Sequence, residues 1–168
     1  LSYSAGLNLP IINHCEVPTL AHGTSMNEGW VSNRLGLKGM PNSAEEIMVA
    51  RDLSLAELTG GHIHIAHVST MGTLNLIKAA KARGIRGTCE VTPHHLTLSE
   101  TLVMGPTEDS FVPLSRDAYN TNAKVNPPLR NQSDVRSMVE GLQNGTIDVI
   151  ATDHAPHNQV DKTTTFQD

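Results

Sequence analysis

Aromatic residues make up only 3% of this 168-residue sequence, with a single Trp, and cysteine occurs twice. Cys15 and Cys89 each lie inside an apolar run, which excludes a disulfide framework or a zinc ribbon and fits reduced thiols in a cytoplasmic protein. No apolar run approaches the roughly 20 residues of a membrane span. No basic region precedes an apolar stretch at the N-terminus, so a secretory signal is not expected either. Positive charge is scarce and scattered: 12 Lys and Arg against 17 Asp and Glu give a net charge of −5. That excludes the basic stripe of a nucleic-acid binder and favours a small-molecule substrate. Internal repeats and low-complexity tracts are absent too. With 38% hydrophobic and 17% charged residues the composition is that of an ordinary folded domain. A chain of this length buries about two-thirds of its unfolded surface. One domain over residues 1–168 is expected. The sequence opens on Leu1 without Met and stops at Asp168 without a closing element, so both ends are expected to be internal.

What the chain has in quantity is histidine, nine residues, most of them at the ends of apolar runs. Histidine is the commonest metal ligand and the usual proton carrier near neutral pH. The apolar runs read as strands over 9–14, 63–69, 85–92 and 147–152. Between them stand helical patterns. Ser43-Ala44-Glu45-Glu46 reads as a capping box for a helix ending at Gly60-Gly61, and Thr70 caps a helix stopping at Arg83-Gly84. Pro93 breaks the third strand, and an irregular stretch follows from Leu102 to Leu129. Ser133 then caps a helix over 134–143 that closes at Asn144-Gly145.

Strands alternating with helices predict a parallel sheet with crossover helices. Both an open doubly wound sheet and a closed barrel share that order. The strand ends discriminate: no Gly-rich phosphate loop follows the first strand, whereas His14, His67, His94-His95 and Asp153-His154 lie just past four successive strands. Barrels assemble active sites from the C-terminal ends of several strands. Four strands are half of eight, and 168 residues fall short of the roughly 250 typical of the fold. The expectation is an α/β chain forming the C-terminal half of a (β/α)8 TIM-type barrel, incomplete.

His14 and His67 end apolar strands about one βαβ unit apart, so two imidazoles can converge on one ion. A lone histidine is more often a satisfied core or rim residue. With Asp153 at a third strand end the metal reading overtakes that one, because a carboxylate there can ligate a metal and take a proton from water. His62-Ile63-His64 has the spacing of a metal pair, but strand alternation groups Ile63 and Ile65 with His67. If His67 turns into a barrel, His62 and His64 face the helix layer and are structural. His94 and His95 read as packing or supporting residues, His22 as a surface residue, and His154 as a neighbour that steadies Asp153 by a hydrogen bond.

Six motifs occur in order: Asn13-His14-Cys15-Glu16, Arg34-Leu35-Gly36-Leu37-Lys38-Gly39-Met40-Pro41 with Ala44-Glu45, Ala66-His67-Val68-Ser69-Thr70, Val91-Thr92-Pro93-His94-His95-Leu96, Lys124-Val125-Asn126-Pro127-Pro128-Leu129-Arg130, and Thr152-Asp153-His154-Ala155-Pro156-His157. Together they resemble the successive motifs of the bacterial-type dihydroorotase family in the amidohydrolase superfamily, over almost the whole chain. Residues 102–123 depart most from that pattern. The resemblance implies that His14 and His67 ligate a binuclear zinc centre and that Asp153 is both a ligand and the catalytic general acid/base. It implies that Asn126 and His157 hold the ring and carboxylate of dihydroorotate. The family's first-strand His-x-His pair, a further substrate Asn and the bridging Asp or carboxylated Lys are expected upstream of Leu1, and a short substrate-contacting segment beyond Asp168.

The activity so implied is reversible hydrolysis of dihydroorotate to N-carbamoyl-aspartate in pyrimidine biosynthesis. Partners in that reading are a second copy in a homodimer or an aspartate transcarbamoylase, with neither nucleic acid nor membrane. Two rivals stand beside it. Hydantoinases, dihydropyrimidinases and allantoinases share the metal site, but Asn126 before Pro-Pro and His157 set this sequence apart from their pattern. A catalytically silent scaffold for a transcarbamoylase would have lost ligands, and the ligand positions present here are kept. A free-standing binding module is the blandest reading. Half a barrel exposes two sheet edges, so the segment alone is expected to be inactive and to associate through them.

Overall fold

The computed structural model describes residues 1–105, 114 and 116–167. A short helix α1 (Ser2–Gly6) leads into β1 (Pro10–Asn13), followed by α2 (Pro18–Ala21), β2 (Met26–Asn27), α3 (Trp30–Leu35) and β3 (Gly39–Met40). Then come α4 (Ser43–Thr59), β4 (His62–Ile65), α5 (Met71–Ala82), β5 (Gly87–Val91), α6 (Pro93–Thr97) and α7 (Thr101–Met104). A 3-10 turn (Thr121–Ala123), α8 (Gln132–Gln143) and β6 (Val149–Ile150) complete the order. Of the irregular stretch expected from Leu102 to Leu129, residues 106–113 and 115 lie outside the described residues.

β1, β4, β5 and β6 form one parallel sheet in chain order, and β2 pairs with β3 in a separate parallel ribbon. A doubly wound sheet reverses its strand order at a switch point. This sheet does not, and its strands progress in one direction, as they do around a barrel. The chain is therefore a partial α/β barrel.

The helices cover one face. Ile63 and Ile65 of β4 and Cys89 and Val91 of β5 pack against Val49, Leu53 and Ala56 of α4, Leu74, Ile77 and Ala80 of α5, and Met138 of α8. The apolar stripe of α4 thus meets the sheet, and Gly60, in the left-handed conformation at φ 67°, ends the helix as its glycine pair predicts. α8 approaches closely because residue 141 is Gly: a Cβ there would lie 2.8 Å from Leu74 Cδ1. A second apolar cluster, including Met26, Val31, Leu35, Met104, Leu129 and Phe166, joins the β2–β3 ribbon and α3 to α7 and the C-terminal segment.

The opposite face, the interior side of a barrel, carries Ile12, His62, His64, Thr88, Glu90 and Val149, matched in register across the sheet. It is open, with Ile12 68% exposed. This corrects the expected orientation of His62 and His64: the residues facing the helices are Ile63 and Ile65. His62 Nε2 and His64 Nδ1 both meet Thr88 Oγ1, at 2.9 and 2.8 Å, and His64 Nε2 meets Glu90 Oε2 at 3.1 Å.

Two caps also differ from expectation. α4 begins after Asn42 without a side-chain cap, so the capping box at Ser43 does not form. Its glutamates are engaged across the fold, Glu45 by Ser69 and Thr70 and Glu46 by Thr70 Oγ1. α8 is capped by Asn131, two residues before Ser133, through bonds accepted from Ser133 N and Asp134 N. The Thr70 cap forms as expected, accepting from Thr73 N at 3.1 Å.

Candidate active site

The C-terminal ends of the four strands meet at one rim, and the positions of its histidines follow from backbone geometry. β4 leaves the sheet after Ile65. Ala66 N still bonds Asn13 O of β1 at 3.0 Å, but Val68 N bonds Glu90 O of β5 at 2.9 Å. Between them His67 adopts φ 34°. A non-glycine residue with positive φ is uncommon and reverses the strand's side-chain alternation there. His67 is thereby turned to His14 at the end of β1, its Nε2 3.0 Å from His14 Nδ1 with the rings edge to face.

His67 is 9% exposed, and burial, then the nearby His14, holds it below the ordinary histidine range against the opposing pull of Asp153. Its Nδ1 is buried without a hydrogen-bond partner. Two imidazole nitrogens at 3.0 Å either share one proton or point two lone pairs at a common ion. Two nitrogens bound to a tetrahedral zinc at about 2.0–2.1 Å would lie roughly 3.3 Å apart. The donor chemistry and spacing therefore fit a metal. Among the described residues, however, no group of three His, Cys, Asp or Glu side chains is close enough to hold one.

Asp153 follows β6, is exposed and has φ 47°, the second left-handed residue at this rim. It influences His67 and His94 by its charge. Among the described residues no hydrogen bond joins His154 to Asp153, so the expected steadying contact is not made. His22 is exposed, as expected.

Asn126 donates to Glu16 Oε2 at 2.9 Å, and the same oxygen lies 3.4 Å from His14 Nε2. Glu16 therefore links the imidazole pair to Asn126, a role the sequence reading missed although the residue sits two positions past His14. Asn126 and His157 line two adjoining clefts of about 440 and 540 Å³. The first also contains Glu16, the second His94 and Asp153, and Lys124 borders both. His94, whose Nε2 is buried and unpartnered, is the other residue the sequence left among supporting positions.

His95 is a supporting residue, as expected. It is 2% exposed, and burial pushes its pKa down to about 3, so the ring is neutral. Its Nε2 lies 3.1 Å from Pro127 O and its Nδ1 2.7 Å from Thr92 Oγ1. A carbonyl only accepts, so Nε2–H donates to Pro127 and Nδ1 accepts from Thr92. This holds the backbone beside Asn126. Both cysteines are free and buried; burial raises the Cys15 thiol strongly and pushes Cys89 up to about 12, so neither is a nucleophile at neutral pH.

A barrel wall whose strand ends present an imidazole pair, a carboxylate and an adjoining polar cleft defines the class: a partial α/β barrel with polar side chains gathered at one rim. Residues 1–73 match the model of a family described as dihydro-orotase-like. The similarity to dihydroorotases then continues along the chain. A dihydroorotase of Pelotomaculum thermopropionicum is 54% identical over 162 residues, 96% of this chain and 35% of the relative. One from Pelobacter propionicus is 50% identical over 166 residues, 99% of this chain and 36% of the relative. The chain thus spans about a third of the length of these relatives.

Among solved structures, the D-hydantoinase (dihydropyrimidinase) from Thermus sp. matches with TM-score 0.75 and 23% identity, covering 99% of this chain and 35% of that one. The L-hydantoinase (dihydropyrimidinase) from Arthrobacter aurescens matches with TM-score 0.72 and 23% identity, covering 96% and 34%. These likenesses establish the partial-barrel fold. No helix among the described residues is long and apolar enough to cross a membrane.

Proposed function

We propose that the protein of which this chain forms about a third is a dihydroorotase, a zinc-dependent hydrolase that opens the cyclic amide of dihydroorotate reversibly to N-carbamoyl-aspartate. The observation that carries the reading is the convergence of His14 and His67 at neighbouring strand ends, 3.0 Å apart, beside Asp153. Identity of about half to dihydroorotases, against 23% to the hydantoinases, favours dihydroorotate over a hydantoin as the ring.

In this reading His14, His67 and Asp153 would contribute to holding metal, two zinc ions in the complete site. The metal would polarise the ring carbonyl and lower the pKa of the attacking water toward neutrality. Asp153, exposed at the rim, accepts the water's proton and returns it to the leaving ring nitrogen. Asn126 and His157, on the walls of both clefts, hold the ring and carboxylate. Glu16 accepts from the Asn126 amide nitrogen and so fixes the amide's orientation. The remaining strands of the same barrel cover the open face bearing Ile12 and His64. A cytoplasmic location, and a homodimer or an association with an aspartate transcarbamoylase, belong to the same proposal.

The test is ring selection by the complete protein, stripped of metal and reconstituted with zinc. Dihydroorotate opening that needs the metal, with hydantoin and allantoin opened far more slowly, supports the reading. Preference for hydantoin would move it to the hydantoinases, and inactivity on all rings in a folded protein would move it to the silent scaffold.

A further inference from the structure

Glu45 and Arg130, each within a motif singled out in the sequence, have no part in the chemistry above, yet they meet in the interior. Arg130 is 1% exposed and Glu45 4%. Arg130 Nη2 lies 3.6 Å from Glu45 Oε2. Burying two charges at this depth costs several kcal/mol per ion before their attraction is counted, and well-packed apolar residues are often at least as stabilising. Stability alone is a weak reason for the pair, so what it touches matters.

Both groups converge on the loop that carries His67. Glu45 accepts from Ser69 N at 3.0 Å and Thr70 N at 3.3 Å, and it also accepts a short bond from Ser69 Oγ. Arg130 Nε donates to that same Ser69 Oγ at 3.0 Å. Arg130 Nη1 donates to Asn27 Oδ1 at 2.9 Å and to Met40 O at 3.2 Å, gripping the β2–β3 ribbon. Asn27 in turn donates to the buried Glu100 at 2.7 Å, and Glu100 N bonds Arg130 O at 2.8 Å. Ser69 stands two residues beyond His67, and Arg130 stands four beyond Asn126. One guanidinium and one carboxylate thus tie the His67 loop, the Asn126 loop, the start of α4 and the ribbon into a single polar joint behind the clefts.

We propose that Arg130 and Glu45 are a positioning pair: through Ser69 they hold the His67 loop in its left-handed turn and set it against the segment bearing Asn126. The proposal rests on the reading of His67 as a metal-holding and Asn126 as a substrate-holding residue. Because one joint serves both loops, disturbing it loosens metal retention and substrate binding together.

The experiment uses the complete protein, loaded with zinc, and the variants Glu45→Gln, Arg130→Lys, Arg130→Met and Ser69→Ala. Zinc release to a chromophoric chelator is measured without substrate, and KM and kcat are measured on dihydroorotate alongside thermal midpoints. Supporting residues behind metal ligands change retention by about 10–100-fold. Glu45→Gln and Arg130→Met are expected to release zinc faster by an amount in that range with KM raised, Arg130→Lys to recover part of the loss, and Ser69→Ala to move both readouts in the same direction by less. Ser69→Ala keeps both charges, so it decides the matter if Arg130→Met does not fold. Folded Glu45→Gln and Ser69→Ala proteins with lowered midpoints but native zinc release and native KM would overturn the proposal. If the native protein fails to open dihydroorotate, the functional reading falls, while zinc release still decides whether the pair positions His67.

Discussion

His95 makes stability depend on pH in a way that can be calculated. Folding lowers its pKa from 6.5 to about 3, chiefly because the ring is buried at 2% exposure between Thr92 and Pro127. Above pH about 7 neither the folded nor the unfolded state carries the proton, and the residue costs nothing. Between about 6.5 and 3 the unfolded chain binds a proton that the folded one refuses, so stability falls as pH falls. With these values the loss between about pH 7 and pH 5 is about 2 kcal/mol. Glutamine at this position can still donate an amide N–H toward Pro127 O and does not titrate. Denaturant unfolding of the complete protein and of His95→Gln, at about pH 7 and pH 5, isolates the contribution. His67 and His94, also lowered by burial, act in both proteins and cancel in the comparison. The variant is expected to lose about 2 kcal/mol less on acidification. Identical pH dependence in the two proteins would refute the argument that His95 is held neutral.

Gly39 is expected to reject any side chain, because a Cβ there would stand 2.3 Å from the Glu28 backbone Cα in the β2–β3 ribbon. Overpacking of this kind costs about 1–3 kcal/mol, to be read as a lower denaturation midpoint for Gly39→Ala; an unchanged midpoint would contradict it. Asn126→Ala and His157→Ala are expected to raise KM for dihydroorotate about 10-fold or more with a smaller fall in kcat, since they remove ground-state contacts in the cleft. Equal falls in kcat and kcat/KM, at unchanged KM, would place these residues in the transition state instead.

The parts of the fold that were legible have local signatures. Apolar runs mark β1, β4 and β5, Gly60 and Gly84 close the helices before β4 and β5, and Thr70 caps α5. The barrel reading came from placing histidines at strand ends, and the unreversed strand order agrees with it. Tertiary contacts overrode the local signals elsewhere. Glu46 stands at the capping-box position but is engaged by Thr70 Oγ1, Glu45 beside it is engaged by Ser69 and the buried Arg130, and no pattern within α4 announces that. Alternation along β4 holds through Ile65 and then fails, because the positive φ of His67 turns its ring to the barrel side while Ile63 and Ile65 face the helices. The strands β2 and β3 are two residues each, too short for any periodicity to mark them. α6 has a local signature, since Thr92-Pro93 is a cap followed by a helix-starting proline, but the same Pro93 also reads as the end of a strand. Glu16 carries no local signal, because its importance depends on Asn126, distant in sequence and brought near by the fold.

The most direct test of the central claim is the rate of dihydroorotate opening by the complete zinc-loaded protein and by Asp153→Ala, with zinc content measured in both. The account predicts opening by the native protein and a fall of at least about 10²–10⁴-fold in the variant, with any loss of zinc scored separately from the loss of proton transfer. A variant that retains its zinc and opens dihydroorotate at the native rate would contradict the assignment of Asp153, and with it the mechanism built on this rim.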